Sequence, residues 1–140
     1  MDDYEFALEL ARRAHAGQVD KAGKDYIRHP MAVAAKLTDP QERVVALLHD
    51  VLEDTVVPEA VLRKLFGDTI ADAVAALTRN EGESYENFIL RAKRNAIARR
   101  VKLADLAHNS DSSRLPTVTP ADLARLEKYR RAALVLEAED

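Results

Sequence analysis

Apolar residues recur along most of the chain at the three- and four-residue spacing of amphipathic helices, whereas alternating strand patterns are nearly absent. In the first segment, Phe6 and Leu10 follow this spacing, and Gly17 is a residue type that commonly ends a helix. The pattern predicts an all-α protein with about seven helices. Because 140 residues fit one domain and we find no linker or repeat, we expect a single domain over residues 1–140.

Capping residues and prolines divide the chain into these helices. Asp39 to Glu42 and Thr119 to Asp122 each have the pattern of a capping box with proline at the first helical position. The predicted helices run from Asp3 to about Ala16, from Pro30 to about Leu37, from Asp39 to about Asp54, from Pro58 to Gly67, from Asp68 to Leu77, from Ser84 to Asn109 with a possible break near Asn95, and from Thr119 to about Glu137.

The helix that begins near Asp39 combines an apolar run with a cluster of ionisable residues. Residues 44–48 are apolar, yet His49, Asp50, Glu53 and Asp54 follow within six positions. Unpaired charges in a core are costly, and such groups usually neutralise or bind a cation. On a continuous helix His49 lies one turn from Glu53, and Asp50 lies one turn from Asp54. A cation between these two pairs could reach both of them. A helix end whose acids face solvent is the alternative, which we favour less for four such residues together.

Two other segments offer ligands of the same kind. His29 precedes a predicted helix start, and Asp105 interrupts an otherwise apolar helix. The chain has no cysteine, so a metal would be held by imidazole and carboxylate groups, which suit Mn²⁺, Mg²⁺, Fe²⁺ or Zn²⁺. With His49 and Asp50, these residues make a mixed set of four ligands, although spacing alone leaves open whether they converge.

Composition argues against several classes of partner. The net charge of −3 gives no general electrostatic reason for the chain to bind nucleic acid. The acidic N-terminus lacks a signal-peptide pattern, and no apolar run approaches the length of a membrane span. We therefore expect a cytoplasmic protein with neither nucleic acid nor membrane as a partner.

Four stretches carry a resemblance to a known family: "AHAGQVDKAGKDYIRHP", "ALLHDVLEDT", "LFGDTIADAVAALT" and "RRVKLADLAHNSD". Spanning roughly residues 14–112, they resemble the HD superfamily of metal-dependent phosphohydrolases. They are most similar to the alarmone-hydrolase domain of RelA/SpoT-type proteins, which removes the 3′-pyrophosphate of guanosine tetra- and pentaphosphate. The resemblance implies a helical HD-domain fold. Because no synthetase or regulatory domain follows, we expect a small stand-alone hydrolase.

The resemblance also implies roles for individual residues. It makes Glu53 and Asp54 the acidic pair that lies beside the metal and helps to activate the attacking water. It implies Mn²⁺ as the metal, bound by His29, His49, Asp50 and Asp105. The residues that it implies for substrate binding are Lys21, Asn109 and Ser112.

The chain departs from the family pattern at two positions. Asp20 stands where the family has a first basic residue before Lys21, and Leu106 stands where it generally has arginine or lysine. These departures leave two alternatives to an alarmone hydrolase: a hydrolase of another phosphoester, such as a nucleoside monophosphate, and a nucleotide-sensing module without turnover. The sequence does not decide the roles of several neighbours: Tyr26, His15 and His108, and the candidate phosphate contacts Lys24, Arg28 and Arg114.

Overall fold

The computed structural model describes residues 1–111, 113 and 115–139. Within these residues the chain forms nine helices and no strand beyond one isolated bridge between Val19 and Asp25. The helices are α1 (Asp3–Ala14), α2 (Arg28–Ala35), α3 (Pro40–Leu48), α4 (Val51–Asp54), α5 (Glu59–Phe66), α6 (Asp68–Ala76), α7 (Tyr85–Lys93), α8 (Ala96–Asn109) and α9 (Pro120–Glu137). The prediction of an all-α fold is confirmed.

Helix starts largely follow the predicted caps. Ser84 accepts a hydrogen bond from the backbone at the start of α7, and Asn95 does so at the start of α8, where the break was predicted. Thr119 and Asp122 form a complete capping box at α9. At α3 only half of the predicted box forms. Asp39 accepts from the Glu42 backbone N–H, but the Glu42 carboxylate pairs with Arg100 of α8 at 3.0 Å.

The prediction of one helix from Asp39 to about Asp54 is wrong. Helix α3 ends at Leu48; His49 still has helical backbone angles, but Asp50 does not, and a short new helix, α4, begins at Val51. The His49 ring places Nδ1 2.6 Å from the Ala46 carbonyl oxygen, which a continuing helix would use for the backbone N–H of Asp50. A side chain therefore replaces a backbone partner at the break.

A second boundary also differs from prediction. Helix α2 begins at Arg28, so Pro30 is its third residue rather than its first. Proline is tolerated here because residues in the first turn have no carbonyl within the helix to bond. The earlier start places His29 inside the first turn of α2.

The core is arranged around α3, which packs against α1, α2 and α8. Residues 45–48 are fully buried. A second apolar cluster lies between α7, α8 and α9 and includes Phe88, Leu106 and Leu136. Helix α8 therefore contributes to both clusters, presenting Asp105 towards α2 and α3 and the next residue, Leu106, to the second cluster. No helix among the described residues is both long and apolar enough to cross a membrane.

Candidate metal centre

The first turn of α2, the break between α3 and α4, and α8 meet at one buried point. His29 Nε2 lies 2.8 Å from Asp105 Oδ1, and His49 Nε2 lies 3.4 Å from the same oxygen. Asp50 Oδ2 lies 3.1 Å from His49 Nε2. The four residues predicted as ligands thus come together, and the nitrogen and carboxylate atoms of His29, His49 and Asp105 are close enough to share one metal ion.

His49 provides the test of whether these residues fit a cation. Its Nδ1 faces the Ala46 carbonyl, which only accepts hydrogen bonds, so Nδ1 carries a proton. The other nitrogen, Nε2, is buried without a hydrogen-bond partner among the described residues, although it faces the carboxylates of Asp50 and Asp105. A lone pair against two carboxylates is unfavourable unless positive charge lies between them. A backbone carbonyl that fixes the ring in this way is usual for a metal-binding histidine.

The electrostatics of the centre favour positive charge at that position. Burial alone lowers the pKa of His49, but the carboxylates of Asp50 and Asp105 raise the pKa well above its ordinary value. Burial likewise opposes ionisation of Asp50, yet His49 and a hydrogen bond from Tyr26 lower the pKa of Asp50 to about 2. The centre is therefore a place where a cation replaces the stabilising effect of a proton.

Two other residues of α8 contact the Asp105 carboxylate, and one of them balances its charge. Lys102 Nζ lies 2.8 Å from Asp105 Oδ2, and Asn109 donates to Oδ1 at 3.1 Å. Burial raises the pKa of Asp105, but Lys102 and the two histidines hold it well below its ordinary range. The carboxylate is thus ionised and fixed in orientation.

Two further side chains hold the predicted ligands in place. The Tyr26 hydroxyl donates to Asp50 Oδ2, and burial and the Asp50 charge raise the Tyr26 pKa, which keeps the hydroxyl protonated. His108 Nδ1 lies 2.7 Å from His29 Nδ1, and the two rings are stacked with centroids 5.0 Å apart. Both side chains were candidates of undecided role, and both contact a predicted ligand directly.

A hydrogen-bond network that the sequence did not predict ties the loop after α1 to α4. Gln18 donates to the Asp54 carbonyl at 3.0 Å, and its own oxygen lies 3.0 Å from His15 Nδ1. The His15 ring in turn lies 4.9 Å from the Tyr26 ring. The only sequence signal was the position of His15 at the predicted end of a helix, which does not identify the contact of Gln18 with Asp54, 36 residues further along the chain.

Glu53 and Asp54 lie beside the centre on the exposed side of α4. Their carboxylate oxygens and one of Asp50 lie within 4.8 Å of one another. Burial and the Asp50 charge raise the pKa of both Glu53 and Asp54. A carboxylate with a raised pKa takes up a proton more readily, which is the property that a general base needs.

Three depressions in the surface meet at the loop after α1. One of about 260 Å³ opens onto the centre and is lined by His29, Asp50, Asp54, Lys102, Asp105, Asn109, Tyr26 and Asp20. A second, of about 320 Å³, shares Asp20, Tyr26 and Asn109 with it and extends towards α9, where Leu115, Arg125 and Tyr129 line it. The α9 residues were missed from the sequence because only tertiary packing brings α9 to this position.

The predicted substrate-binding residues differ in their surroundings. Asn109 lines both depressions, whereas Lys21 lines only the second and is largely exposed, with Nζ 3.8 Å from Asp122 Oδ1. Ser112 lies outside the described residues, as does Arg114.

The two departures from the family pattern have different structural consequences. Asp20 Oδ1 accepts hydrogen bonds from the backbone N–H groups of Ala22 and Lys24, at 2.9 and 3.0 Å, so the carboxylate shapes the loop at the junction of the depressions. Leu106 is 2% exposed and belongs to the apolar cluster between α7, α8 and α9. The Leu106 side chain therefore has no part in recognising a base.

Comparison with known proteins gives consistent results. A family model described as an HD domain matches residues 7–106. A guanosine-3′,5′-bis(diphosphate) 3′-pyrophosphohydrolase from Haemophilus influenzae is 37% identical over 115 residues, which is 71% of this chain and 17% of that protein. The bifunctional (p)ppGpp synthase/hydrolase SpoT of Escherichia coli is 33% identical over 118 residues, 74% of this chain and 17% of SpoT.

A solved structure has a closely similar fold. It is that of a metazoan ortholog of SpoT, described as hydrolysing ppGpp, and it matches with a TM-score of 0.77 and 24% identity over 97% of this chain and 85% of that one. Both curated relatives are much longer proteins, since this chain spans only 17% of the length of each.

Proposed function

This chain belongs to the HD domain family, as its motifs predicted, and from that premise we propose that it is a metal-dependent phosphohydrolase that removes the 3′-pyrophosphate of guanosine-3′,5′-bis(diphosphate). The observation that carries the proposal is the state of His49. Its Nδ1 proton is held by a backbone carbonyl, and its buried Nε2 faces two ionised carboxylates. All four proposed ligands lie within the matched residues 7–106.

The ligands we propose are His29, His49, Asp50 and Asp105, with Mn²⁺ as the first candidate and Mg²⁺, Fe²⁺ or Zn²⁺ as alternatives that the same donor set accepts. A divalent cation held there acts as a Lewis acid, stabilising negative charge on a phosphoryl group and making a water molecule a better nucleophile.

The chain's own residues supply the remaining steps. Tyr26 holds the Asp50 carboxylate and Lys102 holds the Asp105 carboxylate in a fixed orientation, so these ligands need no reorganisation during the reaction. A Glu53 carboxylate oxygen orients the attacking water and accepts its proton, and Asp54 assists from the adjacent position. Asn109 and Lys21 contact the ribose or phosphate groups, and Ser112 is proposed as a further contact from the sequence alone.

The choice of substrate is supported by two curated relatives whose names state this reaction or include it. A phosphoester with fewer charges, such as a nucleoside monophosphate, is the second candidate, and it is favoured by one observation. Asp20 places a carboxylate at the junction of the depressions, where it would repel a polyphosphate. A sensing module without turnover is less favoured because the proposed ligand set is complete.

The experiment that tests the proposal is metal analysis of the purified protein followed by product analysis with a panel of nucleotides. We expect a bound divalent metal and release of pyrophosphate from guanosine tetraphosphate at a kcat/KM that exceeds those for nucleoside monophosphates. Release of orthophosphate from monophosphates alone would establish the second candidate. Nucleotide binding without any turnover, in metal-loaded protein, would make the chain a sensing module.

A further inference from the structure

A third depression, of about 380 Å³, lies beside the loop after α1, and no described residue of α9 lines it. It is lined by Asp20, Ala22, Lys24, Arg28, Ala32 and His108. It lies near the centre in two respects: Asp20 also lines the depression over the proposed ligands, and the His108 ring stacks on His29.

The positive charges around the centre are not equivalent. Lys102 is bound to Asp105, Arg125 contacts Asp122, and Lys21 lies 3.8 Å from the same Asp122. By contrast, the side chains of Lys24 and Arg28 have no ion-pair or hydrogen-bond partner among the residues that the structure describes. Of these five described cations, the two without such a partner therefore both line the third depression.

Lys24 belongs to a closed loop, and Arg28 begins the helix that follows it. Asp20 N–H donates to the Lys24 carbonyl at 2.8 Å, and the bridge between Val19 and Asp25 closes the loop further. Arg28 follows as the first residue of α2. Among the described residues that line this depression, Asp20 is the one acid, and the hydrogen bonds that its Oδ1 accepts from two backbone N–H groups offset part of its repulsion of an anion.

We propose that Lys24 and Arg28 form a subsite for a second, non-reacting phosphate or diphosphate group of a nucleotide whose reacting phosphate lies at the metal centre. The inference rests on the proposed function and adds the orientation of the substrate. The depression towards α9, with Leu115, Tyr26 and Tyr129 in its walls, receives the base, and the non-reacting anionic group lies on the opposite side. Lysine and arginine side chains are the usual partners of phosphate oxygens.

The test uses a charge-matched pair of double variants. Lys24→Ala/Arg28→Ala removes the proposed subsite, and Lys64→Ala/Arg94→Ala removes one exposed lysine and one exposed arginine that line none of the three depressions. Dissociation constants are measured for guanosine 5′-diphosphate, which retains the non-reacting diphosphate, and for guanosine, which has no phosphate.

For guanosine 5′-diphosphate, we expect the subsite variant to bind about 10-fold more weakly than the wild type at low salt, less so at high salt, whereas guanosine affinity changes less than about 2-fold. The control variant should bind both ligands like the wild type. An equal loss for both ligands, no loss for the diphosphate, or an equal loss in the control variant would each overturn the subsite.

Hydrolysis of guanosine tetraphosphate by the wild type, measured in parallel, separates this inference from the proposed function. A selective loss of diphosphate binding without any wild-type hydrolysis would support the subsite and contradict the proposed substrate. Hydrolysis together with unchanged diphosphate binding would support the function and overturn the subsite.

Discussion

The metal centre and its rim, the neighbouring loop of residues 20–24, are built in opposite ways. His29, His49 and Asp105 expose at most 6% of their surface and are fixed by contacts within the core helices. At the rim, the Lys21 side chain is 62% exposed, and its ion pair with Asp122 is long at 3.8 Å. Donor positions at the centre are therefore dictated by packing, while the rim can change without disturbing the fold. We expect substitutions at the centre to change metal binding and rate, and substitutions at the rim to change nucleotide preference.

The largest effect is expected at Asp105, which contacts both histidines of the centre. Asp105→Ala removes a proposed ligand oxygen, so both bound metal and activity should fall to background. Elemental analysis and phosphate release measure the two losses. Added Mn²⁺ should raise the melting temperature of the wild type by mass action but not that of the variant.

Loss of the carboxylate also leaves Lys102 buried without its partner, so misfolding has to be separated from metal loss. Asp105→Asn keeps the volume of the side chain and serves as the second variant. Asp72→Ala, at an exposed acid on α6 that forms an ion pair with Arg63, is the control. A folded Asp105→Asn protein with the metal content and Mn²⁺ affinity of the wild type would contradict a role for the Asp105 negative charge in metal binding.

A smaller effect, on rate alone, is expected at Glu53. Glu53→Gln keeps the shape of the side chain but removes its basicity, so kcat should fall by about 10²- to 10⁴-fold while metal content is unchanged. Glu81→Gln, at an exposed acid in the loop before α7, should leave both unchanged. If Glu53→Gln loses metal as Asp105→Ala is expected to, then Glu53 is a ligand rather than a base.

Tyr26 and Tyr129 allow the comparison to be sharpened with one chemical change in each region. Tyr26→Phe removes the hydroxyl that donates to Asp50 and keeps the ring against His15 and His29, so Mn²⁺ affinity should weaken by about 10- to 100-fold. Tyr129→Phe, on α9 at the far wall of the neighbouring depression, should leave Mn²⁺ affinity unchanged. Metal titration of both variants decides, and equal affinities would mean that the Tyr26 hydroxyl does not position a ligand.

The same contrast explains how much could be predicted from the sequence. Helix starts depend on local capping, so Ser84, Asn95 and Thr119 were found from their neighbours alone. The four proposed ligands were found because ionisable residues interrupt apolar runs. The break after α3 was missed because it depends on the His49 ring competing for a backbone carbonyl.

Contacts between distant segments were also beyond local reasoning. Gln18 meets Asp54 across 36 residues, and Leu106 was interpreted from its family position, while its side chain packs in the core between α7, α8 and α9. Neither contact leaves a periodic signal in the sequence. The proposed ligands could be predicted because they interrupt an apolar pattern. The residues that support them, and those that line the depressions, could be identified only from the fold.

The smallest effect is expected at Asp20, where charge and loop structure can be separated. Asp20→Asn keeps an oxygen that can accept from the backbone N–H groups of Ala22 and Lys24 but removes the negative charge. Two unit charges 4 Å apart interact by about 1 kcal/mol in bulk water, so relief of this repulsion should lower KM for guanosine tetraphosphate by about 5-fold. We expect kcat to stay the same, because a contact made equally in the ground and transition states acts on KM.

Two further substitutions at Asp20 separate the two roles of this side chain. Asp20→Ala removes the charge and the loop hydrogen bonds together, so any decrease in KM should be smaller than in Asp20→Asn. Asp20→Arg adds an attractive charge but also loses the oxygen that accepts the loop hydrogen bonds. It should therefore lower KM only if the effect of charge is larger than the effect of loop geometry. Steady-state kinetics on the three variants decides between them. An unchanged KM in Asp20→Asn, with strong wild-type activity on guanosine tetraphosphate, would mean that the carboxylate only shapes the loop, and the argument for a less charged substrate would then be lost.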